Sequence, residues 1–197
     1  RRFLVKSKMM FQKKFKNKKV LITGHTGFKG SWLSAWLIKL GANVIGISKD
    51  IPTNPSLFES LELEKKIVHY QFDLNDSNKI KSVLTKEKPD FIFHLAAQAL
   101  VSVSYQNPLE TITSNALGTA NLLECLRNYN NNVIVVMITS DKSYNNVEWP
   151  WGYKETDRLG GKDIYSGSKA AAEVIIRSYF ESFLIKKKNI RIGVARA

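Results

Sequence analysis

The chain has 197 residues, 44% of them hydrophobic, enough for one sizeable core and by default one domain. Its formal charge is +13, but nine of its 30 basic residues (Arg1, Arg2, Lys6, Lys8, Lys13, Lys14, Lys16, Lys18 and Lys19) crowd the first 19 positions with no acid among them; the remaining 21 face 17 acids, which argues against a nucleic-acid-binding face. No apolar run reaches the roughly 18–20 residues that span a bilayer, the start lacks the pattern of a secretory signal, and a single cysteine, Cys125, excludes an internal disulfide, so a cytoplasmic protein is expected.

Residues 1–18 read as a disordered basic leader, and because Met9 and Met10 lie inside it the segment Arg1 to Lys8 is expected to precede the natural start. A dinucleotide-binding domain is expected over residues 19–197. It opens with an apolar strand, Val20-Leu21-Ile22-Thr23, followed by Gly24-His25-Thr26-Gly27-Phe28-Lys29-Gly30 and a helical stretch over residues 31–40. Strand, glycine turn and helix start form the arrangement that sets a dinucleotide pyrophosphate on a helix N-terminus. Glycine is required because a Cβ would block the turn or hold the main chain away from the phosphates. The spacing is Gly-x-x-Gly-x-x-Gly rather than the commoner Gly-x-Gly-x-x-Gly. Trp32, Leu33, Trp36, Leu37 and Leu40 recur at helical spacing and are expected to face the sheet.

Further strands are expected at residues 43–48, 67–72, 91–95, 132–139 and 190–195, and helices at 77–86, 109–129 and 165–185. Lys186-Lys187-Lys188 closes the last helix, where cations complement the dipole. Strands apolar along their length, separated by helices, imply an α/β fold: a Rossmann-like, doubly wound parallel sheet with helices on both faces and ligands outside the strand carboxyl ends. The sequence stops at Arg196-Ala197, at the end of the sixth strand, so a C-terminal substrate domain is expected to be missing from it.

Tyr165 and Lys169 begin the last helix four residues apart, which puts phenol and ammonium on one face. A tyrosine acting as a base near neutrality needs a pKa lowered by roughly three units, and a nearby cation works in that direction. Asp141 and Lys142 follow the fifth strand at the ligand edge. His25, His69 and His94 lack metal-ligand spacing, so no metal is expected. Trp149 and Trp151 would either wall a pocket or pack their own loop.

The glycine phrase, His94-Leu95-Ala96-Ala97-Gln98, Asn115-x-x-Gly118-Thr119 and Tyr165-x-x-x-Lys169 together resemble the extended short-chain dehydrogenase/reductase family. Residues 24–33, Thr139-Ser140-Asp141-Lys142-Ser143-Tyr144 and Glu148-Trp149-Pro150-Trp151-Gly152-Tyr153 resemble its nucleotide-sugar 4,6-dehydratases, the CDP-glucose group in particular. The resemblance, running over residues 19–197, implies a redox-neutral dehydration of a nucleotide sugar with tightly bound NAD, in lipopolysaccharide O-antigen biosynthesis, by a homodimer. It implies catalytic roles for Tyr165, Lys169, Asp141, Lys142 and Ser140. It also implies cofactor contacts from Gly24, Thr26, Gly27, Phe28, Lys29, Gly30, Asp50, Asp73, Leu74, Leu95, Ala96, Ala97 and Asn115. Two features depart from the pattern. Many relatives carry Asp-Glu where this chain has Asp141-Lys142, and the second strand ends Ile47-Ser48-Lys49-Asp50, with its acid late and a lysine before it that suits a phosphate. A UDP-sugar 4,6-dehydratase or 4-epimerase, and a non-catalytic NAD-binding fragment, are the alternatives.

Overall fold

The computed structural model describes residue 11 and residues 13–197. Six strands form one parallel sheet: β1 (Lys19–Thr23), β2 (Asn43–Ser48), β3 (Val68–Gln71), β4 (Phe91–His94), β5 (Val133–Thr139) and β6 (Ile190–Arg196), in the order β3-β2-β1-β4-β5-β6. The order reverses between β1 and β4, the switch point beyond whose strand carboxyl ends folds of this kind take their ligands. The helices are α1 (Phe28–Lys39), α2 (Leu57–Ser60), α3 (Ser77–Glu87), α4 (Val101–Gln106), α5 (Pro108–Ile112), α6 (Gly118–Arg127) and α7 (Ile164–Tyr179). This is the doubly wound, Rossmann-like fold that the alternation predicts.

The strands are apolar because both faces of the sheet are covered. On one side Leu21, Ile45, Ile92, Val135 and Met137 pack with Leu122, Leu126 and Ile176 of α6 and α7; on the other Val20, Ile22 and Val44 meet Leu37 of α1. Among the described residues, no helix is long and apolar enough to cross a membrane.

Four expectations need correction. The described part of the leader is ordered: residues 13–15 are helical, the Phe15 ring lies 5.0 Å from that of Phe91, and Lys18 Nζ meets Asp90 at 2.8 Å. Residues 1–10 and 12 lie outside the described set. On α1 the tryptophans do not face the sheet: Trp32 is 57% and Trp36 50% exposed, while Gly30, Ser31, Ser34 and Leu37 are buried. The cause is proximity. A Cβ on Gly30 would stand 2.1 Å from the Gly24 carbonyl oxygen, so the turn holds the start of the helix too close for anything larger than serine on its inner face. The helix expected over residues 109–129 is α5 and α6 joined by a wide, π-type turn, Thr113–Leu117, and α7 passes into a similar turn at Phe180–Leu184. The short helices α2 and α4 carried no periodic signal.

Candidate active site

The glycine turn is built by contacts to two strand ends. Gly24 has φ +75°, its amide donates to the Ile47 carbonyl at 2.7 Å, and a Cβ there would lie 2.7 Å from the Ala96 nitrogen. Only glycine fits both the backbone and the contact. Gly24 thus comes against Ala96 beyond β4, with Leu95 and Ala97 beside it. Thr26 is fixed from below: its hydroxyl donates to the Asp50 carbonyl at 2.6 Å and its amide to Ser48 Oγ at 3.3 Å. Gly27 caps α1 in extended backbone, no side chain caps the helix, and its first turn carries no acid. That positive helix end, reached without an intervening Cβ, suits a pyrophosphate. Phe28 and Lys29 stand exposed at its mouth.

A buried histidine that the sequence did not reveal as structural anchors the turn. His25 Nδ1 lies 3.0 Å from Ser48 Oγ and Nε2 lies 2.7 Å from His69 Nδ1, and burial pulls its pKa down to about 4. His94 is wedged between Thr23 Oγ1 at 2.8 Å and Thr119 Oγ1 at 2.9 Å, with its pKa lowered to about 3, first by burial and then by the Lys169 charge. Both rings stay neutral and serve as hydrogen-bonded struts.

At the end of β2, Lys49 is not free to meet a phosphate. Its ammonium lies 2.8 Å from Glu110 and 3.6 Å from Asp73, and it titrates above its ordinary value chiefly because of the Glu110 hydrogen bond. Asp50 is exposed and contributes its backbone carbonyl to Thr26. Asp73 also accepts from the Asn75 amide at 2.9 Å, and Leu74 after it is buried in the core. Asn115, expected to touch the cofactor, spends both ends of its amide internally: Oδ1 accepts from the Gln98 amide at 2.7 Å, and Nδ2 donates to the Gln98 carbonyl at 3.1 Å and Ser168 Oγ at 2.9 Å. It ties the loop after β4 to α7.

The reaction side comes from β5 and α7. Asp163 caps α7, accepting from the Ser166 amide at 2.9 Å and Ser166 Oγ at 2.7 Å, and so fixes the helix start that carries Tyr165. Tyr165 and Lys169 are both buried, with Lys169 Nζ 5.6 Å from the phenol ring centroid. Ser140, at the end of β5, donates to Asp141 Oδ1 at 3.1 Å. The structure brings Ser140 and Asp141 to Tyr165: burial raises the phenol's pKa, the Ser140 hydroxyl pulls it down, and the Asp141 charge pushes it up again. Lys142 is exposed on the same turn.

One electrostatic expectation fails here. Lys169 does not bring the Tyr165 phenol below its ordinary value; burial dominates and raises it. Burial, then the charge of Lys29, brings Lys169 itself down to about 8. The same desolvation that makes the pair reactive acts against both charged forms. Trp149 packs its own loop: its ring lies 5.5 Å from Tyr153, which stacks on Tyr144 at 4.9 Å. Trp151 is exposed.

A doubly wound sheet, a glycine turn at its switch point and a buried Tyr-x-x-x-Lys are the marks of a dinucleotide-binding fold of the short-chain type. The model of the GDP-mannose 4,6 dehydratase family matches residues 21–193, and the chain belongs to that family. It is 47% identical over 189 residues, 95% of its length, to CDP-glucose 4,6-dehydratase of Salmonella typhimurium, covering 53% of that protein. Among solved structures, it is similar to an epimerase of Methanothermobacter thermautotrophicus, with a TM-score of 0.80 at 27% identity over 96% of this chain and 54% of the other. It is also similar to UDP-glucuronic acid 4-epimerase from Bacillus cereus, solved with UDP-glucuronic acid and NAD, with a TM-score of 0.76 at 26% identity over 90% of this chain and 55% of the other. The chain spans about half the length of these proteins.

Proposed function

We propose that the full protein dehydrates CDP-glucose to CDP-4-keto-6-deoxyglucose with bound NAD. The observation that carries this is the burial of Tyr165 beside Ser140 and Asp141, one helical turn from a buried Lys169 that feels the charge of Lys29 on the glycine turn. The 47% identity to a CDP-glucose 4,6-dehydratase supports the substrate, and the NAD in a structural relative supports the cofactor.

The residues fit the cofactor: Gly24, Gly27 and Gly30 leave the uncapped end of α1 open to the pyrophosphate, beside Ala96. NAD supplies a hydride acceptor that returns the hydride later in the cycle, and its positive ring would favour the phenolate that burial disfavours. Tyr165 takes the proton from the sugar C4 hydroxyl as the C4 carbonyl forms, and Ser140 holds the C4 oxygen. The new ketone acidifies the proton on C5. Lys142 in its neutral form removes that proton, Asp141 in its protonated form gives its proton to the departing C6 hydroxyl so that water leaves, and the hydride then goes to C6 as Lys142 returns a proton to C5. That Asp141 and Lys142 share one short turn supports their acting on neighbouring carbons.

The alternative, 4-epimerisation of a UDP-sugar, needs Tyr165 and Lys169 but not the Asp141-Lys142 pair; a solved 4-epimerase shares the fold at 26% identity, and the 47% identity to a dehydratase weighs against that reading. Incubating the full-length protein with CDP-glucose and NAD decides between them. A 4-keto sugar, seen by its absorbance in alkali, is expected; conversion of a UDP-hexose without keto-sugar formation would favour the epimerase.

A further inference from the structure

Glu173 and Arg196 belong to none of the motifs above. Glu173 lies on α7 one turn past Lys169 and two past Tyr165, so the three share a helix face. Its side chain is 6% exposed and that of Arg196 18%. Glu173 Oε1 accepts from Thr139 Oγ1 at 2.6 Å and Arg196 Nε at 2.7 Å, and Oε2 accepts from Arg196 Nη2 at 2.5 Å. The Ser143 hydroxyl has a single proton to give, and shares it between the Ser140 carbonyl at 2.7 Å and Glu173 Oε1 at 3.2 Å. Arg196 continues outward: Nη1 donates to the Tyr144 hydroxyl at 2.5 Å and the Glu155 carbonyl at 3.3 Å, and the guanidinium lies 4.5 Å over the Tyr144 ring.

Burial works against ionisation of Glu173, yet the Arg196 guanidinium and Thr139 hydroxyl hold its carboxyl below the ordinary value. A buried ion pair rarely outperforms apolar side chains of equal volume, so stability alone does not account for this one. Its partners do. Thr139 and Ser143 are the two ends of the turn that carries Ser140, Asp141 and Lys142. One carboxylate on the tyrosine helix therefore grips that turn at both ends, while Arg196, from the end of β6, braces the carboxylate.

We propose that Glu173, braced by Arg196, is a positioning residue that fixes the Ser140–Asp141–Lys142 turn against Tyr165 and Lys169. Its kinetic consequence rests on the dehydratase reading; the anchoring does not. The test is Glu173→Gln in the full-length protein, where the amide keeps an acceptor for Thr139 but turns a donor toward Arg196. Amide hydrogen exchange at Lys142, Ser143 and Tyr144 is expected to accelerate about tenfold, the equivalent of one lost hydrogen bond, with Leu21 and Val135 in the sheet unchanged. On CDP-glucose, kcat is expected to fall on the order of 10²-fold, as for a misplaced catalytic group, with KM and NAD affinity held. Thr139→Val, which releases one end of the turn and keeps the ion pair, should repeat the pattern more weakly, and decides the matter if Glu173→Gln does not fold. Exchange that rises evenly along the chain, an unchanged turn, or a raised KM with kcat intact would overturn the proposal. If the unmutated protein forms no keto sugar, the dehydratase reading fails, and the exchange pattern still decides the anchoring.

Discussion

In the glycine turn, Gly24 and Gly30 are six residues apart and meet through backbone alone, whereas Ser140, Tyr165 and Arg196 converge from the ends of β5, α7 and β6. The cofactor side is therefore a local turn, specified by where side chains are missing and docked as a unit on the ends of β2 and β4. The reaction side is an assembly, specified by hydrogen bonds between segments far apart in sequence. A local structure fails by steric intrusion and an assembly by loss of register, so the two halves respond differently to substitution.

The sharpest separation comes from Tyr165→Phe. Turnover of CDP-glucose by the full protein should fall about 10²–10⁴-fold, the range for a lost general base, while titration with NAD finds the affinity unchanged because the turn is untouched. Gly30→Ala attacks the other half: its Cβ meets the Gly24 carbonyl oxygen at 2.1 Å and His25 Cα at 2.7 Å. Thermal or denaturant unfolding should show a loss of about 1–3 kcal/mol, as for overpacking, together with weakened NAD binding. Gly27→Ala is the control for stability alone, since a Cβ there stands 3.5 Å from its nearest neighbour outside the adjacent residues; it should leave unfolding unchanged while still weakening NAD binding.

Lys169→Met exposes what the reaction side costs. Folding lowers the Lys169 pKa from 10.5 to about 8, so between those values the unfolded chain binds more protons than the folded one and stability rises with pH. The penalty is complete below about pH 8 and gone above about pH 10.5. The variant should therefore be more stable than the parent in denaturant at pH 7, the difference shrinking to nothing by pH 10.5, and inactive throughout. A stability difference independent of pH would assign the effect to packing instead. The smallest effect is expected from Trp32→Ser: with the ring on the outer face of α1, stability should change by no more than about 0.5 kcal/mol, as for an ordinary surface site. A loss several times larger would mean that the outer face is covered.

The strand, glycine turn and helix of residues 19–40 were legible because each signal is local, and the run of apolar strands between helices implied the parallel sheet. Tyr165 and Lys169 were legible because spacing by four puts them on one helix face. The same spacing continues to Glu173, but a glutamate on a helix usually faces water, and nothing in the sequence tells that a guanidinium from β6 would meet it. Trp32 and Trp36 misled for the opposite reason: they are apolar and periodic, yet the inner face of α1 is taken by Gly30, Ser31, Ser34 and Leu37, with the closest approach at its first turn. The pKa of Tyr165 was misjudged because a charge can be read from sequence and burial cannot.

By itself the sequence determined the order of elements, the class of fold, the place of the glycine turn and the pairing of Tyr165 with Lys169 on one helix face, all of which follow from patterns within a few turns of chain. Only the tertiary structure decided which face of α1 turns inward, how far desolvation shifts Tyr165 and Lys169, and what holds Ser140 and Asp141 to the tyrosine helix. Those depend on distances between segments remote in sequence, and such distances exist only once the sheet has brought β5, β6 and α7 together.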